Sequence, residues 1–385
     1  MKRLIPWLVI GVILRLALMP FTSHPDIRGH YLGGYIIAQK DSLMGVYDYI
    51  SKLPRTDPWV KIYGDDFLVY SPVTYWLHAA WLKLPAYSHD MLERLITNMD
   101  QTLKEPNVGW LLIFLKTPYL IADAFCLWLM LKIVDTKYRE LITVLWIFNL
   151  PLIHSAYMMG QFDIFIVLFI LLATYFAKSE RSVLGAISLA VSAGFKPFGL
   201  FLLPFLPGNR IKNVLVGIIA YIAIIAPYAL TSPAYRMYAL AAQQSDKIWY
   251  AKILVSGSQY LPLFMVGIVV LFWLSFKNFK SLPWWGWLMS PFLIFYSVTH
   301  YHPQWFSWIS PFLILAFVLK PKTRWLVLTM FVAHLAVLFS FEPSLNFGLF
   351  GINYSLHWLL TDQNMSLVRG VLAATSLSMI FFLKE

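Results

Sequence analysis

Long apolar runs separated by short loops carrying Lys and Arg leave this chain few folding options. Runs at 4–20, 110–131, 140–159, 163–177, 213–230, 258–276, 283–299, 303–319, 325–341 and 366–383 approach the roughly 20 residues that a helix needs to cross a hydrocarbon core of about 30 Å. The apolar stretch 182–207 is interrupted at Lys196-Pro197. Proline bars a regular helix through that point, so the stretch reads as two shorter helices meeting at a bend. The expectation is an all-α polytopic membrane protein with about twelve transmembrane segments. With 59% hydrophobic and 13% charged residues, the chain lies far from the roughly 25% charged composition of soluble domains.

The basic residues give the direction of the spans. With Lys2 and Arg3 in the cytoplasm and the segments alternating, the inner loops hold 15 of the 30 Lys and Arg but only Asp135, Glu140, Glu180 and Glu385 among the acids. The formal charge of +11 therefore falls on one side, as the positive-inside rule expects. Both termini are expected in the cytoplasm of a multi-pass protein of the cell (plasma) membrane. Topology thus accounts for the basic residues, which argues against nucleic acid as a partner. One cysteine excludes a disulfide framework or a Cys-based zinc site, and no phosphate-binding or dinucleotide glycine motif is present.

The chain reads as one integral membrane unit, 1–385. It comprises an outer first loop at 21–109, a motif-bearing core at 110–230, a second outer loop at 231–257 and C-terminal spans at 258–383. All nine histidines lie off the inner loops. In the first outer loop, Val73, Trp76, Leu77, Ala80, Trp81 and Leu84 follow helical spacing after Ser71-Pro72, a suitable N-cap and first turn. A second amphipathic stretch uses Leu92, Leu95, Ile96, Met99 and Leu103 and ends before Pro106. Both are expected to lie in the membrane interface. The 231–257 loop, with Arg236, Lys247 and Lys252, reads as solvated rather than as a cover for a site. Asn353-Tyr-Ser355 and Asn364-Met-Ser366 match glycosylation sequons.

Charges inside spans are costly and usually functional. Arg15 and Lys196 approach the outer side, where an anionic lipid phosphate would need cations. Lys116 and Asp123 share one face of a helix, and read either as site residues or as structural links to neighbouring helices. Four outer motifs gather the remaining polar chemistry: His24-Pro25-Asp26-Ile27-Arg28, Tyr70-Ser71-Pro72, Gly160-Gln161-Phe162-Asp163 and His300-Tyr301-His302-Pro303-Gln304. Asp163 also suits a helix cap. His300 and His302 find no third ligand in register for a metal.

In order and placement these segments resemble the GT-C superfamily of polytopic glycosyltransferases, closest to the dolichyl- or polyprenyl-phosphate-sugar-dependent glucosyl- and mannosyltransferases. The resemblance runs through an Asp after the first span, Asp26; a Tyr-Pro-Pro-like motif, Tyr70-Ser71-Pro72; and Lys116-Thr117-Pro118-Tyr119-Leu120-Ile121-Ala122-Asp123. It continues through the Gly160–Asp163 turn, Lys196-Pro197 and the His300 motif, covering most of 1–310. Ser71 stands where Pro is common, and Tyr301-His302 where eukaryotic members tend to have Glu-Lys.

The resemblance implies an inverting transfer of a hexose, mannose or glucose. The donor is a polyprenyl-phosphate-linked sugar, the acceptor a glycan or lipid-linked molecule, and the active site faces outward from the lipid bilayer. Asp26 is the expected catalytic base. Arg28, Lys116, Lys196 and His300 are expected on the donor phosphate, with Tyr70, Gln161, Asp163 and His302 on the substrate. No cofactor or metal ligand set is assigned, and a divalent cation at Asp26 is left open. The competing class is a secondary transporter or a flippase for lipids or lipid-linked sugars, which would carry interrupted helices at matching positions of two repeats. Only Lys196-Pro197 interrupts a span here. A non-catalytic scaffold subunit of the same fold is a third possibility.

Overall fold

The computed structural model describes residues 2–63, 68–352 and 360–384. Nearly every described element is helical; the exception is one two-stranded hairpin. Val108–Ile133, Arg210–Thr231, Pro321–Phe339 and Asp362–Phe382 are long and apolar enough to cross a membrane, and a fifth span arises if the pair Thr136–Ile147 and Leu150–Met159, bent by 43°, counts as one. These helices make the chain a membrane protein. Their outward faces support this: Ile211, Leu215, Ile219 and Ile222 are exposed along Arg210–Thr231, a stripe that water would not tolerate.

The other apolar runs form shorter elements, and local chemistry explains why. After Ser182–Ala193 the chain does not resume an α-helix but runs as a 3-10 helix, Pro197–Phe205, with prolines at 197 and 204. The 303–319 run opens as the 3-10 helix Pro303–Trp308 before Ser310–Leu319. The 140–159 run breaks at Asn149 and ends as a π-helix, Ile153–Met159, so Lys196-Pro197 is not the sole interruption that the sequence suggested. In the 258–276 run the first residues form a strand, so the helix is Leu263–Lys277. Asp163–Lys178 is central, packing on Val108–Ile133 and Ser182–Ala193, while Arg324–Phe339, Asp362–Phe382 and Trp284–Val298 form a second group.

The long segment 21–109 contains a helix that hydropathy does not reveal, Asp26–Gln39. Its glycines, histidine and glutamine dilute the apolar signal, yet most of its residues are buried. It packs on Pro72–Leu82, the helix expected at 71–84. The contact requires glycine: a Cβ at Gly33 would lie 2.2 Å from the Tyr75 ring, and one at Gly34 2.8 Å from His78. Pro72–Leu82 therefore packs into the protein, burying Thr74, Tyr75, His78 and Ala79, rather than lying alone on the membrane surface. Ser71 precedes it in extended conformation without a capping side-chain bond. The second stretch divides at Asn98 into His89–Thr97 and Met99–Thr102, with Leu92, Leu95 and Ile96 buried. The sequon at Asn353 lies outside the described residues; Asn364 falls in the first turn of Asp362–Phe382.

Candidate active site

The four polar motifs converge although they are far apart in sequence. A polar cavity of about 160 Å³ is lined by His24 and Asp26, by Tyr70, by Gln161, and by His302 and Gln304, together with Lys196, Trp305, Glu342 and Leu345. Each of the four motifs contributes at least one side chain.

Asp26 is the first residue of its helix, where the unpaired N–H groups and helix dipole favour a negative charge. Its Oδ2 accepts from Gln161 Nε2 at 2.7 Å, and its Oδ1 lies 3.4 Å from His24 Nδ1. Burial acts to raise the Asp26 carboxyl, but the nearness of His24 and His30 and the hydrogen bond from Gln161 outweigh it and hold the group below the usual carboxylate range. Asp26 is ionised throughout the neutral range. Gln161 is delivered by an unusual backbone: the π-helix ends at Gly160, in the left-handed region at φ 77°. A Cβ there would lie 2.9 Å from Ile27 Cδ1, so glycine satisfies both the turn and the close approach. His24 N–H donates to Met159 O at 2.9 Å and Thr22 Oγ1 to Met158 O at 2.8 Å, fixing the Asp26 loop against this turn.

Lys196 joins the polar cavity to a second one. This neighbour, about 120 Å³, is walled by Phe195, Phe198, Tyr221, Tyr235, Phe295 and Trp308, and shares Tyr70, Lys196 and Trp305 with the first. The Lys196 ammonium lies 2.8 Å from Asp163 Oδ1 and over the rings of Phe162, Trp305 and Trp308 at 4.9, 5.4 and 5.3 Å. Asp163 is fully buried and also accepts from Trp308 Nε1 at 2.7 Å. It thus positions Lys196 and does not line the polar cavity. Gln304 lines that cavity, and its buried Oε1 has no hydrogen-bond partner among the described residues.

Lys247 is a correction to the solvated-loop reading of 231–257. It sits on the 3-10 helix Gln243–Trp249 with its ammonium 5.0 Å from the Trp305 ring centre. Among the described residues it has no carboxylate within 4.0 Å. Burial, then the charge of Lys196, lower it to about 8. Ala242 and Ile248 of the same segment wall the apolar cavity. A charge pattern in sequence could not place Lys247 here, because its partner is an aromatic ring 58 positions away in the chain. Trp305, Trp308, Glu342 and Leu345 are further lining or supporting residues that the motifs did not single out, although Trp305 directly follows the His300 motif and Trp308 lies three residues on.

Several expected site residues lie elsewhere. Lys116 is fully buried, and its ammonium donates to Met19 O at 2.9 Å, to Tyr157 O at 2.8 Å and to Thr22 O. All three of its N–H bonds are used, so it clamps backbone and offers nothing to a ligand. Arg28 turns away from both cavities, its Nε on Pro25 O and its guanidinium over the Tyr63 ring. His300 is exposed, stacks near Phe341 at 5.8 Å and lines neither cavity. Burial, then the charges of Arg369 and Lys247, lower its pKa, so it is not a cation at neutral pH. His302 does line the polar cavity, but burial and the nearby lysines push it down to about 3, leaving a neutral hydrogen-bonding ring. Arg15 is not free for an anion either. Its Nε pairs with Asp123 Oδ2 at 2.5 Å, and Asp123 also accepts from Trp146 Nε1 and Tyr157 Oη, each at 2.6 Å.

Among the described residues no group of three or more His, Cys, Asp and Glu side chains is arranged to hold a metal ion. Comparison with protein-family models, with curated proteins and with solved structures gives no match to this chain.

Proposed function

We propose that this chain is an inverting glycosyltransferase that moves a hexose, mannose or glucose, from a polyprenyl-phosphate carrier to a hydroxyl of a glycan or lipid-linked acceptor. One observation carries the reading: the polar cavity at Asp26 opens through Lys196, Tyr70 and Trp305 into an aromatic-walled apolar cavity. A ligand filling both is an amphiphile whose anionic group sits at the junction. Small-molecule sites of this kind use apolar walls for affinity and a few polar groups for orientation.

In this reading Asp26 accepts the hydroxyl proton as the acceptor oxygen bonds to C1 of the sugar. The bond from C1 to the phosphate oxygen breaks, and the electron pair leaves with the polyprenyl phosphate. A carboxylate held below its usual range is a weak base, so the proton moves late, once positive charge has built up on the acceptor oxygen. Lys196 and Lys247 stabilise the departing phosphate; charge-assisted hydrogen bonds are the strong ones, and a water-poor aromatic setting raises their worth. Tyr70, Gln161, His302 and Gln304 contact the sugar, and Asp163 positions Lys196. Lys116, Arg28 and His300 have no part in this revised site. The reading includes about twelve membrane crossings, cytoplasmic termini and a site facing outward from the plasma membrane.

The test is an in vitro transfer assay. Protein in nanodiscs receives a panel of radiolabelled polyprenyl-phosphate hexoses and a crude lipid-linked glycan acceptor. The expected result is sugar incorporation with release of polyprenyl phosphate, lost in Asp26→Asn. Saturable donor binding without turnover for any donor would refute catalysis and support a flippase.

A further inference from the structure

Both faces of the hairpin that leads into Leu263–Lys277 carry exposed apolar side chains. Its strands, β1 (Lys252–Ser256) and β2 (Gln259–Pro262), are antiparallel, with Ile253 opposite Leu261 and Leu254 opposite Tyr260. Side chains alternate between the two faces of a strand, so these pairs point to opposite sides and apolar groups cover both. All four are exposed, Leu254 at 72% and Ile253 at 55%. An isolated two-stranded hairpin is marginal in water, and an exposed apolar patch of this kind marks a contact surface.

Continuity identifies the contact. β2 passes through Pro262 directly into the apolar helix Leu263–Lys277, whose Val269, Val270 and Trp273 are likewise exposed. The base of the hairpin is fixed to that helix by Leu263 N–H donating to Ala251 O at 2.9 Å. The polar groups also suit a lipid boundary. Lys252 holds its ammonium 4.5 Å from the Tyr260 ring centre, and Tyr250 is exposed just before β1, in the manner of interfacial aromatic belts. Depth is limited by the backbone: open strand edges cannot be satisfied in hydrocarbon, so the hairpin belongs where headgroups meet acyl chains.

We propose that the β1–β2 hairpin is an interfacial membrane foot that lies in the headgroup–acyl boundary and holds the adjoining Gln243–Trp249 turn, with Lys247, against the mouth of the cavities. The proposal rests on the chain being a membrane protein and not on the glycosyltransferase reading.

Leu254→Cys, labelled with an environment-sensitive fluorophore, tests it in phosphatidylcholine nanodiscs. The native Cys126 is buried, and unmutated protein sets the background. Bromine on the acyl chains near the headgroups should quench the label roughly two-fold, with weaker quenching by bromine near the chain ends and little by aqueous iodide. A label at Arg55→Cys, exposed in the turn before Pro58–Tyr63, should show the reverse. Iodide quenching of Leu254→Cys equal to that control would overturn the foot, as would protection from both iodide and lipid bromine, which would mean that protein covers the hairpin. Stronger quenching by the deep bromine would overturn the interfacial depth. For the link to Lys247, Leu254→Glu with Val255→Glu should speed trypsin cleavage after Lys247 several-fold while the unfolding temperature holds. An unchanged cleavage rate would refute that link.

Discussion

Removing the Lys196 ammonium is the perturbation that most sharply separates support from ligand binding. Lys196→Met strands the Asp163 carboxylate: it is 0% exposed, one oxygen keeps the Trp308 bond at 2.7 Å, and the other has no partner. Breaking a buried ion pair from one side costs about 3–5 kcal/mol. In Lys196→Met with Asp163→Asn the stranded charge is gone and the amide oxygen still accepts from Trp308, so more than half of that loss should return. The single cysteine, Cys126, is buried, and its reaction with a thiol-activated fluorophore on heating reports unfolding directly. The single variant should unfold well below the unmutated protein and the double variant close to it. Binding of a short alkyl phosphate should behave differently. A charge-assisted hydrogen bond is worth about 1.5–3 kcal/mol, so both variants should lose roughly 10–150-fold in affinity. If the double variant regained affinity together with stability, Lys196 would be a structural cation and the anion assignment would fail. If Lys196→Met unfolded like the unmutated protein, the ion pair itself would be in error.

Arg15→Met should destabilise by about 3–5 kcal/mol, because Asp123 would remain buried with only Trp146 and Tyr157 as donors; an unchanged unfolding temperature would contradict this. Gly160→Ala should cost about 1–3 kcal/mol through its left-handed backbone and its approach to Ile27, with partial recovery by Ile27→Val if the contact contributes. Stability should also fall on acidification. The folded protein holds His302 at about 3 and His78 at about 4, below the ordinary 6.5, so the unfolded chain binds protons that the folded chain refuses. The loss begins as pH drops through about 6.5 and continues until these folded values are reached. Its slope is at most about 1.4 kcal/mol per pH unit for each such histidine. Unfolding temperatures across that window should decline less steeply for His302→Phe.

The apolar runs and the outer motifs were legible because each rests on local chemistry: span length, proline breaks, and polar residues at the ends of spans. Convergence of Asp26, Tyr70, Gln161 and His302 on one cavity follows from that placement. What the sequence hid were the nonlocal partners. Nothing near Lys116 announces three carbonyls from two other segments, and nothing near Arg15 announces Asp123. A cation in a span signals only that its cost is met somewhere; Lys196 faces a cavity whereas Lys116 and Arg15 face protein. The Asp26–Gln39 helix was missed because its packing depends on glycines that weaken the hydropathy signal. Lys247 was missed because an aromatic partner leaves no charge complement to read.

The Arg15–Asp123 pair has a consequence for synthesis. The two residues are 108 positions apart, so Arg15 leaves the ribosome long before its counter-ion exists. An uncompensated charge on an apolar helix is costly in a bilayer, Arg15 sits in the last turn of Ile5–Leu18, and that helix is only 14 residues long. On its own, this first segment is a poor resident of the bilayer. Its residence is secured when Val108–Ile133 arrives, bringing Asp123 to the guanidinium and Lys116 to the carbonyls of Met19 and Thr22. The two helices therefore become stable together, only after the whole segment between them has been made.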